Sequence, residues 1–207
     1  MPTTLENRCD TCDVHGRRKP LQKCAGCGIS RYCSKECQKK DWVVHKIACQ
    51  MNTLYVDMLK HQDSTPMGRM LCAGLPDDLT MHELDNRLAK WVRFHTTNLV
   101  IACFIAIRIN DDLDNCNKEV LYISVRPRPQ SEHEGYPGKY FAIKDAYPVN
   151  IQTTMHWPMP WPPTLLQLQE VQRARESEGR GRVAGYIISL RPSTVDHSPN
   201  RESIRHS

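Results

Sequence analysis

Eight side chains in the first fifty residues have the types and spacing of metal ligands. They fall in four pairs: Cys9-x2-Cys12, Cys24-x2-Cys27, Cys33-x3-Cys37 and His45-x3-Cys49. Seven thiols and one imidazole make the donor set of two tetrahedral Zn2+ sites with four protein ligands each. Such sites keep no open position for water, so the expected chemistry is structural rather than catalytic. A C-x2-C pair folds a tight turn that aims both sulfurs at one ion, and Ala25, Gly26 and Gly28 let the second turn close without a Cβ clash. An x3 spacing puts two ligands one helical turn apart on one face. Cys33/Cys37 and His45/Cys49 therefore predict short helices, with Ser34 capping the first and Asp41 the second. Spacing alone leaves the partners open. Sequential pairing gives Cys9, Cys12, Cys24, Cys27 and then Cys33, Cys37, His45, Cys49. Interleaved pairing gives Cys9, Cys12, Cys33, Cys37 and then Cys24, Cys27, His45, Cys49.

The run Arg31-Tyr32-Cys33-Ser34-x-x-Cys37-Gln38-x-x-Asp41-Trp42-x-x-His45-Lys46-x-x-Cys49, with the two earlier Cys pairs, resembles a MYND-type zinc finger. A RING finger would carry its His earlier, between the second and third Cys pairs. The resemblance implies the interleaved pairing. It also implies docking of proline-containing peptides of partner proteins, with Gln38 and Trp42 matching the family's binding surface. Trp42 offers a flat apolar face suited to proline rings. Gln38 offers an amide to an extended backbone. The competing readings are Trp42 packed against the second zinc loop and Gln38 as an ordinary exposed helix residue.

The elements that hold these ligands have little apolar material of their own. Val14, Leu21, Ile29, Tyr32, Trp42, Val43, Val44 and Ile47 are the larger apolar residues between the first and last ligand. A segment of ~40 residues does not stabilise itself on such a core, so zinc must supply folding free energy, on the order of 10 kcal/mol per structural site. Seven of the ten Cys lie in this head, and so does the whole formal charge of +5. Residues 1–50 hold 10 Lys/Arg against 5 Asp/Glu, and residues 51–207 hold 18 of each. Seven thiolates and two zinc ions bring the head down to about +2, which weighs against a nucleic-acid partner.

The rest of the chain is read as a scaffold. Residues 50–60 continue helically from the finger, with Met51, Leu54, Tyr55 and Met58 at helical spacing, and residues 61–78 read as a linker. Thr80 or Asp78 opens a long helix whose apolar face includes Leu84, Leu88, Trp91, Leu99, Cys103 and Ile107. Strands are expected at 120–125, 140–143 and 183–190, and a helix at 164–178. Residues 157–163, rich in proline and tryptophan, read as polyproline II, and 191–207 as a disordered tail. The fold class is α+β: a small two-zinc finger with short helices (1–50), a helical extension and linker (51–78), and a small α+β domain on one long helix (79–190). Residues 84–147 loosely resemble C-terminal regions of short MYND proteins of basidiomycete fungi.

The function expected is that of an adaptor: a zinc-binding interaction module that docks proline-containing segments of partners through Gln38 and Trp42. An intramolecular dock onto the chain's own proline-rich segments, 126–129 and 157–163, is a further possibility. No enzyme is expected. The Asn-His-Ser-Cys-like and Gly-Glu-Glu-Leu-like runs of a SET methyltransferase are missing. The alternative is a cryptic enzyme in the C-terminal domain, with His95, His133, Asp145 and Arg126 the first residues to examine. A nucleic-acid-binding regulator ranks below it. The longest apolar stretch, Leu99 to Ile107, is too short to span a membrane, and the N-terminus has no secretory h-region. Mean hydropathy is -0.56. The compartment expected is intracellular and reducing, nucleus or cytoplasm, where clustered Cys bind metal.

Overall fold

The computed structural model describes residues 8–12, 14–157, 161–177, 179 and 183–190. The expected disordered tail at 191–207 and the central prolines at 158–160 lie outside them. The chain divides into two compact units, Met1–Ala73 with Asp78–Phe94, and Gly74–Asp77 with His95–Ser207.

The first unit begins with a bridge between Arg8 and His15. A two-residue antiparallel ladder follows, β1 (Gln22–Lys23) on β2 (Arg31–Tyr32). The next element is α1 (Lys35–Ser64), a single helix of 30 residues. Ser34 caps it as expected, its side chain accepting from Cys37 N at 3.3 Å. The two short helices predicted for the ligand pairs are replaced by this one helix. Cys33 lies just before the cap, while Cys37, His45 and Cys49 all ride on the helix. Asp41 therefore caps nothing; it is in the second turn.

The segment read as a linker is largely helical. Thr65 ends α1 and starts α2 (Pro66–Cys72). Its hydroxyl donates to Gln62 O at 2.7 Å and accepts from Gly68 N at 3.0 Å. Pro66 forces the residue before it into extended backbone, so Thr65 has ψ 155° and the helix breaks there. A 3-10 turn, Pro76–Asp78, leads to the long helix α3 (Met81–Ala106). Thr80 opens it through a capping box: Glu83 N donates to Thr80 Oγ1 and Thr80 N to Glu83 Oε2, each at 3.2 Å. Asp63, from the end of α1, accepts from Met81 N at 2.8 Å and His82 N at 3.0 Å.

The second unit is organised by a three-stranded sheet in the order β4-β3-β5. A short helix, α4 (Asn115–Lys118), leads into β3 (Glu119–Pro127), the central strand. Val120 to Val125 are all buried, which explains why apolar residues do not alternate with exposed polar ones there; Ser124 is the one small polar residue in the run. After α5 (Gln130–His133) comes β4 (Phe141–Asn150), antiparallel to β3, with a bulge opposite Ser124 and Val125. β4 is far longer than the four residues expected. It is an edge strand with mostly exposed side chains, so Lys144, Asp145 and Pro148 interrupt the apolar pattern without breaking the ladder. α6 (Ile151–Thr154) and α7 (Trp161–Ser177) follow, and then β5 (Tyr186–Leu190) runs parallel to β3.

Val120, Tyr122, Ile151, Leu165 and Ile187 form a buried cluster in this unit, with Tyr147, Val149, Met155, Trp157 and Leu168 packed around it. Trp157 meets Tyr122 edge-on at 5.3 Å. The expected polyproline II stretch is thus corrected at its ends. Trp157 is a core residue, and Pro162 and Pro163 lie in the first turn of α7, where a missing N–H is tolerated. Pro127 ends β3 and Pro129 precedes α5 at its cap. The α+β class holds. Among the described residues, no helix is long and apolar enough to cross a membrane.

Candidate metal centre

The finger gathers the eight ligand atoms into two groups. Cys9, Cys12, Cys33 and Cys37 form the first, and Cys24, Cys27, His45 and Cys49 the second. This is the interleaved arrangement. Within each group all ligand atoms lie within 4.8 Å of one another. Cys12 and Cys33 Sγ are 3.5 Å apart, Cys33 and Cys37 Sγ 3.6 Å, and Cys24 and Cys49 Sγ 3.7 Å. Cys27 Sγ lies 3.6 Å from His45 Nε2. A tetrahedron with Zn–S bonds of ~2.3 Å has edges of ~3.8 Å. A disulfide would need sulfurs ~2.05 Å apart. All seven thiols are free, and their spacing is that of donors around a common ion.

Short backbone devices set these positions. Cys9 N donates to Val14 O and Asp10 N to Arg31 O, each at 2.9 Å, closing the first Cys turn onto β2. Cys24 N donates to Ser30 O at 2.8 Å and Gly28 N to Cys24 O at 2.9 Å, closing the second. Gly28 has φ +67°, a conformation that favours glycine. A Cβ on Gly26 would lie 2.8 Å from Cys49 Sγ, so only glycine lets this turn approach the second site. Cys9, Cys24, Tyr32 and Cys49 are the buried core of the finger, with Val14, Leu21, Cys27, Cys33 and Cys37 around them. The core of this region is its own ligand set.

The crowded thiols differ in how readily they ionise. Burial raises the Cys9 thiol, but the backbone N–H groups of Cys33, Cys12 and Thr11 outweigh it and bring it down to about 6. Cys24 is likewise raised by burial and brought down to about 6 by the backbone of Cys27, by His45 and by Gly26. Burial and the neighbouring thiols Cys12, Cys37 and Cys9 push Cys33 up to about 12. Burial and Cys24 push Cys49 up to about 11. Each group thus favours one thiolate and resists a further one. A divalent cation among the crowded sulfurs would offset the repulsion between their thiolates. The residues fit Zn2+, which as a filled four-coordinate ion supplies cross-linking and no reaction.

A second layer of contacts holds the ligands, and spacing did not reveal it. Ser30 Oγ lies 3.3 Å from His45 Nδ1, so with Nε2 turned to the metal the Nδ1–H donates to the serine. Thr11 Oγ1 donates to Cys37 O at 2.8 Å. Tyr32 OH donates to Asp41 Oδ2 at 2.7 Å, and burial and Asp41 keep that phenol neutral by raising it. Gln38 is half-buried, and its Nε2 lies 3.7 Å from Cys24 Sγ. Trp42 is 40% exposed and meets His45 edge-on at 6.0 Å, while Tyr32 meets the same ring at 6.1 Å.

The residues singled out for a cryptic enzyme fall elsewhere. His95 Nε2 bonds Gly138 O at 3.0 Å. His133 is buried; its Nδ1 accepts from Gly135 N at 2.9 Å, and its Nε2 lies 3.9 Å from Asp77 Oδ2. Both imidazoles engage the loop before β4. Arg126 on β3 pairs with Ala142, and Asp145 on β4 pairs with Ser124, both at exposed positions.

Two cross-braced four-ligand groups around a helix N-terminus define a structural zinc finger. Residues 9–49 match the model of the MYND finger, a zinc-binding protein-interaction module. The "SET domain and MYND-type zinc finger protein 6" of Schizosaccharomyces pombe is 46% identical over 46 residues, which are 22% of this chain and 9% of that protein. The human "N-lysine methyltransferase SMYD2" is 44% identical over 43 residues, 21% of this chain and 10% of the relative. The Arabidopsis thaliana "Histone-lysine N-methyltransferase ASHR1" is 33% identical over 69 residues, 33% of this chain and 14% of the relative. The chain therefore spans only about a tenth of the length of these relatives. No solved structure matches it. The expectation that no enzyme is present is corrected by these names, because relatives that share the finger are methyltransferases. The shared segment is the finger, so it assigns this chain no reaction.

Proposed function

We propose that the chain recruits partner proteins through its finger, by docking proline-containing peptides across Gln38 and Trp42. The observation that carries this reading is the exposed ring of Trp42, held edge-on against the second-site ligand His45. Gln38 and Trp42 are one helical turn apart on α1 and share a face. The Gln38 amide nitrogen is turned to Cys24 Sγ, so its carbonyl oxygen is the group offered to the N–H of an extended peptide. Proline rings stack on the indole, and the ligand-borne helix keeps both side chains in place. The reading places the protein in a reducing intracellular compartment, where seven thiolates keep their metal.

Titration of the zinc-loaded chain with a proline-rich peptide tests the proposal. Trp42→Ala should weaken binding by more than about tenfold, the loss expected for an aromatic anchor of ~2 kcal/mol, with two zinc ions retained. Unchanged affinity in that variant would remove Trp42 from the binding surface.

A further inference from the structure

The two zinc groups differ in what surrounds them. In the second, Cys24, His45 and Cys49 are buried and Cys27 is half-buried. His45 is flanked by the rings of Tyr32 and Trp42, and Gln38 Nε2 faces Cys24 Sγ. In the first, only Cys9 is buried, Cys33 and Cys37 are half-exposed, and Cys12 is exposed. The first group is also all sulfur. Four thiolates on Zn2+ leave a local charge of -2, whereas three thiolates and an imidazole leave -1. More electron density on sulfur and more access to solvent both favour attack on a soft oxidant. The exposed Cys12 has a neighbour in reach, since Cys33 Sγ lies 3.5 Å away.

We propose that Cys12 is a modification site at which hydrogen peroxide opens the first zinc group, while the second group keeps its metal. The Cys12 thiolate attacks the peroxide oxygen, an S–O bond forms, the O–O bond breaks and hydroxide leaves. The Cys33 thiolate then attacks the sulfenic sulfur, forming the S–S bond and releasing a second hydroxide. Two electrons pass from the two sulfurs to the peroxide, and two protons from solvent convert the hydroxides to water. Cys9 and Cys37 alone cannot retain the ion, which leaves as aqueous Zn2+. Reduction by a thiol with added zinc reverses the change.

The experiment treats the full chain, loaded with two zinc ions, with hydrogen peroxide. Released zinc is followed with a chromophoric chelator, and the disulfides are mapped by mass spectrometry. One zinc per chain should leave at least tenfold faster than the other. The fast phase should coincide with a Cys12–Cys33 linkage, with Cys24, Cys27 and Cys49 still reduced. Cys12→His, which keeps four ligands but removes the exposed thiolate, should slow the fast phase at least tenfold. Oxidation of the second-group thiols first or at the same rate overturns the proposal. So does a first-group disulfide that omits Cys12, or a two-zinc Cys12→His chain that releases at the original rate. If that variant fails to bind two ions, the order mapped on the unaltered chain decides.

Discussion

Gly26 supplies no ligand atom, yet it controls the second metal site. Its missing Cβ leaves room for Cys49 Sγ, which a methyl group would meet at 2.8 Å. Gly26→Ala should weaken the second zinc by about tenfold, a penalty of ~1.4 kcal/mol, and leave the first unchanged. Chelator competition on the two-zinc chain would read the two affinities separately. The ligands themselves were legible residue by residue, because metal coordination imposes fixed spacings. The layer behind them was not. Asp41 reads from sequence as a cap because it precedes a His/Cys pair, whereas its partner is the Tyr32 hydroxyl, nine residues back and on β2. A carboxylate that answers a phenol across a fold leaves no periodic signal. The Ser30 hydroxyl beside His45 is hidden for the same reason.

At the scale of elements, legibility followed caps and burial. Ser34 and Thr80 were readable as helix starts, since each hydroxyl satisfies an orphan N–H locally. The continuity of α1 was not readable, because an x3 ligand spacing fits a short helix and a long one equally. The strand β3 announced itself by six buried residues in a row, while most of its partner β4 stayed hidden behind edge-strand polarity. Asp63 links two elements that sequence treats as separate. One carboxylate accepts from Met81 N and His82 N and so satisfies two open N–H groups in the first turn of α3. Asp63→Ala should destabilise the first unit by about 1–2 kcal/mol through the lost cap. Denaturant unfolding followed by helical circular dichroism would show it as a lower midpoint with the zinc content unchanged.

For the molecule as a whole, the two units rest on different forces. The second has an apolar cluster of Val120, Tyr122, Ile151, Leu165 and Ile187. The finger has its ligand sulfurs for a core. Metal analysis should find two zinc ions per chain, and one or none would overturn the metal assignment. A strong chelator should unfold the finger while amide exchange in β3 stays slow, since both ligand groups lie in the first unit. The charge split along the sequence foreshadowed this division: all the net charge accompanies the thiols. The sequence did not foreshadow where the second unit begins, because the boundary falls inside α3, between Phe94 and His95. A helix that serves both units shows no composition shift there.

The interleaved ligands have one more consequence, for a chain that is cut. Cys9, Cys12, Cys24 and Cys27 all precede Gly28, and Cys33, Cys37, His45 and Cys49 all follow Ser30. A protease that nicks the exposed Ile29 position leaves two fragments, each supplying half of both sites. The two ions then act as rivets, and the severed pieces should co-elute under native conditions and part only when a chelator is added. Sequential pairing would instead have sent one intact site away with each fragment.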